Sequence, residues 1–64
     1  MDITITKAIL AIITNRPEKV GNSSVPTFIC DNEEERDRVA FNLSKLTDSV
    51  IHDLGNGVLV AVRH

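Results

Sequence analysis

This chain lacks most of the devices that hold small domains together. Among its 64 residues there is one cysteine, Cys30, so no disulfide can form within the chain. Cys30, His52 and His64 show none of the paired ligand spacings that structural zinc sites use, which argues against a metal staple. A domain this short buries only about 60% of its unfolded surface, and small domains usually add a disulfide, a metal or a partner subunit. Association is the staple that remains, and a homodimer is the expected form.

Aromatic residues are nearly absent. Two phenylalanines, Phe28 and Phe41, are the whole set, with no tyrosine or tryptophan, so no stacking pair for bases is visible on a strand. Cationic charge is also in short supply. Seven Lys and Arg stand against nine Asp and Glu, a net charge of -2, and this balance argues against a life on phosphate backbones. Long apolar runs are missing too. Ala8–Ile13 is too short to span a bilayer, and Lys7 flanks it. With no export signal evident and one free cysteine, the expected location is the reducing cytoplasm.

Most informative among what is present is the last quarter. Ser49 to Arg63 contains two strand-like runs joined by Gly55-Asn56-Gly57, residues that accept the positive φ of tight hairpin turns. A three-residue loop puts Val50, His52, Leu54, Val58, Val60 and Val62 on one face, and Ile51, Asp53, Leu59, Ala61 and Arg63 on the other. A two-residue Asn56-Gly57 loop regroups them. In either register both faces carry apolar residues.

Upstream, Ile3 to Thr14 is rich in β-branched residues, which pack well on pleated sheets. A strand is expected there, with a helix as competitor because Ile5, Ala8, Ile9 and Ile12 also have helical spacing. As a strand, Ile9 and Ile13 share a face with Ile3 and Ile5, while Leu10 and Ile12 take the other. Arg16 to Pro26 is turn chemistry without periodicity and reads as an exposed loop. Thr27–Cys30 is a short strand after Pro26, which cannot donate a ladder hydrogen bond. Asp31 is the expected helix N-cap with Glu34 at the third helical position, an arrangement like a capping box. Glu33, Glu34 and Glu35 complement the helix dipole. Val39, Leu43 and Leu46 form the stripe expected to face a sheet, and the helix should stop near Thr47-Asp48.

The whole chain, 1–64, therefore reads as one α+β domain. The order is β-β-α-β-β, with one helix on a mostly antiparallel four-stranded sheet. The path from Thr27–Cys30 through the helix to Ser49–Leu54 has the form of a crossover between parallel strands.

No motif for catalysis survives inspection. Cys30 and Arg36 match the C-x5-R spacing of cysteine-dependent phosphatases, but the residues between them are Asp31, Asn32, Glu33, Glu34 and Glu35. Four carboxylates and no glycine repel the phosphate such a loop must cradle. The same carboxylates splay around a helix turn instead of converging on a cation, so no metal or other cofactor is expected. His52 has no nucleophile in sight. Phe41 is different. It points away from Val39 and Leu43 among Asp37, Arg38, Ser44 and Lys45, as an interface anchor rimmed by charge does.

One helix covers one sheet face. The hairpin face left bare, taken as Ile51, Leu59 and Ala61, is the expected contact surface together with Phe41, Arg38 and Lys45. The function that follows is a non-catalytic protein-interaction or regulatory module working as a homodimer. Two alternatives stand beside it. One is a small nucleic-acid-binding domain in which Arg16, Lys19, Arg63 and Lys7 cluster. The other is a bacterial or phage accessory protein that docks on a larger partner.

Overall fold

A computed structural model describes residues 8–21 and 24–64. Strands β1 (Ala8–Thr14), β2 (Thr27–Ile29), β3 (Val50–Asp53) and β4 (Val58–Arg63) form one sheet, with helix α1 (Glu33–Thr47) between β2 and β3 in the chain. The α+β architecture and the order of elements are as the sequence implies. Residues 8–14 are strand and not helix, in keeping with their β-branched content. The part of the expected strand at Ile3–Lys7 lies outside the described residues.

Strand order is β2-β1-β4-β3. β4 pairs antiparallel with β1 and β3, whereas β1 and β2 are parallel. β2 and β3 thus run in the same direction at opposite edges, and α1 crosses the two central strands to connect them. A short 3-10 turn at Pro17–Lys19 begins the link from β1 to β2.

Three expectations about residue placement are corrected in the fold. Along β1 the register shifts between Ile9 and Ala11, so Ile9 lies opposite Val62 while Ile13 lies opposite Leu59. The extra residue of a bulge breaks the period of two, and Ile9 and Ile13 end on different faces. At the helix start the cap sits one residue later than Asp31. Asn32 is extended and its Oδ1 accepts from the Glu35 backbone N–H at 2.8 Å. Glu35 Oε2 in turn accepts from the Asp31 backbone N–H at 2.9 Å. The strand ladder explains the shift: Cys30 N–H still donates to the Thr14 carbonyl at 2.8 Å, so the bend out of the sheet takes up Asp31 and Asn32 and the helix begins at Glu33.

The helix ends as expected. Asp48 takes the left-handed conformation at φ 53, and the Asp48 and Ser49 N–H groups both donate to the Ser44 carbonyl. The hairpin adopts the three-residue loop, with Leu54 N–H donating to the Val58 carbonyl and Asp53 opposite Leu59. Gly57, at φ +90, is pressed against the Arg16 side chain, where a Cβ would meet Cδ at 3.1 Å. Thr14, fully buried, donates from Oγ1 to the Gly57 carbonyl and accepts from the Arg16 N–H, which ties the end of β1 to this loop.

The core is built from Ala11, Ile13, Cys30, Ala40, Leu59 and Ala61, with Val39, Leu43 and Ile51 packed against it. Three alanines at the helix–sheet contact allow close approach. Leu46, placed on the buried stripe by spacing, is 83% exposed. The buried side of α1 runs through Arg36, Ala40, Leu43 and Thr47, and that rotation carries Leu46 off its flank.

Candidate functional site

The register decides which sheet face α1 covers. Ile51, Leu59 and Ala61 share a face with Ala11 and Ile13, and all five belong to the layer beneath α1. Leu59 and Ala61 are buried and Ile51 is half-buried. The expectation that these three form the bare face is therefore corrected: the helix lies on them. Ala40 and Leu43 supply the apolar cover, and Leu46 takes no part.

The far face is the other one. Val58, Val60 and Val62 run along its middle, between Thr14, Ile12 and Ile9 on one side and Leu54, His52 and Val50 on the other. These three central valines are buried. Around them stands an exposed apolar rim: Ile9 at 52%, Ile29 at 55%, Val50 at 52% and Leu54 at 58%. Four large apolar side chains thus stand exposed on this face.

Phe41 projects from α1 above the β3 side of the molecule and is 58% exposed. Lys45 Nζ sits 4.7 Å from its ring centroid, a cation–π contact that orients the ring. Phe41, Asp37, Ala40 and Ser44 on the helix, with Ile51 and Leu59 on the sheet, line an open groove of about 240 Å³. Of the expected contact residues, Phe41, Ile51 and Leu59 line this groove, and Lys45 sits over the Phe41 ring. Arg38 is exposed on α1 and does not line it, and Ala61 lies in the core.

β3 is an edge strand. Leu54 and Val58 form a hydrogen-bonded pair, so pairs alternate back along the hairpin. The backbone groups of His52 point to β4, and those of Ile51 and Asp53 point outward at the edge.

A second cleft, of about 470 Å³, opens at the other end of α1 between the hairpin loop and the 3-10 turn. Arg16, Lys19 and Arg36 line it together with Glu33 and Asp53. Sequence reasoning met Arg36 only as the arginine of the C-x5-R spacing and did not place it in a cleft, because nothing in a charged helix turn marks one arginine as buried. Its Nε and Nη2 donate to Asp37 Oδ1 at 3.0 and 2.9 Å, and Nη1 donates to Asn15 Oδ1 at 3.4 Å. The basic cluster expected for nucleic acid does not assemble around Arg63, whose Nη2 donates to the Thr47 carbonyl. Arg16 pairs with Glu18 at 3.9 Å instead, and Lys19 shares its cleft with Glu33 and Asp53. Lys7 lies outside the described residues.

Cys30 is buried at the end of β2, and its thiol pKa is pushed above the ordinary value of 9.0 by burial first, then by the Glu35 carboxylate. A nucleophilic cysteine needs the opposite shift. His52 Nε2 lies 3.1 Å from His64 Nε2, both on the exposed surface. Among the described residues no group of three or more His, Cys, Asp or Glu converges as a metal site, and no helix is long and apolar enough to cross a membrane.

The chain belongs to the family described as "Capping complex subunit for YIEGIA", whose model matches residues 6–64. It is also similar to the uncharacterised protein YpzH of Bacillus subtilis (strain 168), with 33% identity over 64 residues that cover the whole chain and 98% of that relative. No solved structure matches. The family is one of small complex-forming subunits, so a protein partner, reached from the sequence as a docking partner, stands at that level.

Proposed function

We propose that this chain is a non-catalytic subunit of a capping complex, works as a homodimer in the cytoplasm, and docks on YIEGIA, the protein that its family's description names. The observation that carries the docking is the far face of the sheet. Ile9, Ile29, Val50 and Leu54 are each more than half exposed on this face, which suits burial against another protein. The self-association rests on the open β3 edge and on Phe41, which a domain of this size has little reason to leave in water. The absence of catalysis rests on Cys30, which is buried among carboxylates, and on His52, whose neighbour is another histidine and no nucleophile.

Co-expression of the chain with YIEGIA and capture through a tag on either protein tests the docking. Capture is expected from the native pair and reduced about tenfold or more by Ile29→Glu or Ile9→Glu, since a buried charge without a partner is strongly unfavourable. Both positions are exposed, so the melting temperature should hold. Capture undiminished by both substitutions would remove the far face from the docking.

A further inference from the structure

We infer that the β3 edge pairs with the β3 edge of a second copy of this chain, antiparallel and in one register: Ile51 opposite Asp53 of the second copy, and His52 opposite His52. The inference rests on the homodimeric reading above and names its surface.

The backbone dictates the register. Ile51 and Asp53 are the β3 residues whose N–H and C=O groups face outward. A two-fold axis through His52, perpendicular to the sheet, sets Ile51 of each copy against Asp53 of the other. All the outward groups of these two residues are then used. An axis through Ile51 sets Asp53 against Ser49, whose N–H is already committed to the Ser44 carbonyl, so that register forfeits bonds. The two sheets become one of eight strands, with both helices on the same side.

The helix obeys the same axis. The groove under Phe41 lies at the level of Ile51 and of Leu59, which is opposite Asp53; Phe41 therefore stands at the height of His52. Rotation about that axis brings Phe41 to face Phe41 and merges the two grooves, which the rings then fill. Asp37 and Lys45 lie four residues before and after Phe41, on its side of the helix. The rotation sets Asp37 of each copy, whose Oδ1 also holds Arg36 of its own chain, against Lys45 of the other, two opposite-charge pairs on either side of the apolar centre. Strand and helix thus agree on one axis, and the surface is complementary to itself in hydrogen bonds, shape and charge, as an isologous contact requires. Such a dimer also lays the two far faces side by side in one continuous docking surface.

Light scattering on the full chain across a concentration series, with cysteine scanning in a Cys30→Ala background, tests this. The expected result is a mass twice the 7.0 kDa of the chain. Under mild oxidation His52→Cys should give a covalent dimer, because residues facing across the axis in a non-hydrogen-bonded pair have close Cβ atoms. Val50→Cys should not, since Val50 faces Leu54 of the second copy. Lys45→Glu should weaken the dimer about tenfold through facing like charges, and Asp37→Asn added to it, which removes the repulsion and keeps an Oδ1 for Arg36, should restore much of the association. A native dimer in which Val50→Cys cross-links as readily as His52→Cys, or in which neither does, overturns this pairing while self-association stands. A monomer at hundreds of micromolar overturns both, and capture by YIEGIA is then judged separately.

Discussion

The two faces of the sheet are built from nearly the same residue types and have different fates. Beneath α1 lie Ala11, Ile13, Leu59 and Ala61, all buried. On the far face Val58, Val60 and Val62 are buried too, but the residues around them, Ile9, Ile29, Val50 and Leu54, stay more than half exposed. What separates the faces is the cover. A helix fifteen residues long crosses one of them, and its alanine contacts let it sit close. Apolar character alone therefore does not mark a covered position in this chain: Val58, Val60 and Val62 are buried on the face away from α1, and the residues around them are not.

The sharpest way to break that comparison is to delete matched side chains from the two faces. Ile13→Ala removes a fully buried side chain and should cost about 3 kcal/mol, which is a large share of what a domain this size possesses. Ile9→Ala, on the same strand but at the far-face rim, should cost less than about 1 kcal/mol. Urea unfolding of both variants measures the difference, and equal losses would mean that the far face is as well covered as the near one.

A smaller effect tests how α1 is held in place over its face. Asn32→Ala should lose about 1 kcal/mol through the cap at Glu35, whereas Asp31→Ala should change stability by no more than about 0.5 kcal/mol. Thermal melts of the two variants decide which residue starts the helix.

The smallest effect concerns Cys30, at the end of β2 in the covered layer. Its folded thiol pKa is raised, so the folded chain keeps its proton to higher pH than the unfolded chain does. The stability linked to this group is fully present below the ordinary value of 9.0 and is lost as pH rises through and beyond it. A melting temperature that falls more steeply above that pH in the native chain than in Cys30→Ala is the expected observation.

Much of the fold was legible before any coordinates. Gly55-Asn56-Gly57 announced the hairpin, and the β-branched run through Ile12 and Ile13 announced a strand. Three acidic residues followed by Val39 and Leu43 announced the helix. Other features left no trace in the pattern. Asp31 and Asn32 are both good caps with a glutamate three residues on, and the ladder bond at Cys30 chose between them. The bulge at Leu10 has no signature, since every neighbour is aliphatic. Leu46 has the spacing of a buried residue and loses its place because Ala40, small enough for close contact, sets the rotation of α1.

The contact surface divides along the same line. Phe41 among charges was visible as an anchor, since helical periodicity is a local property. Arg36 in its cleft was not, because a cleft forms from segments distant in the chain. Most consequentially, the choice between Ile51, Leu59 and Ala61 or Val50, His52 and Leu54 as the uncovered hairpin face was closed to sequence reasoning. Alternation places residues on two faces and does not say which face meets a helix when both are apolar. From its own order this chain determined its described elements, its hairpin and its amphipathic helix, because turn chemistry, β-branching and periodicity act between near neighbours. Tertiary structure alone decided which face that helix covers and which two strands become the edges, because these depend on how α1 crosses the sheet between β2 and β3.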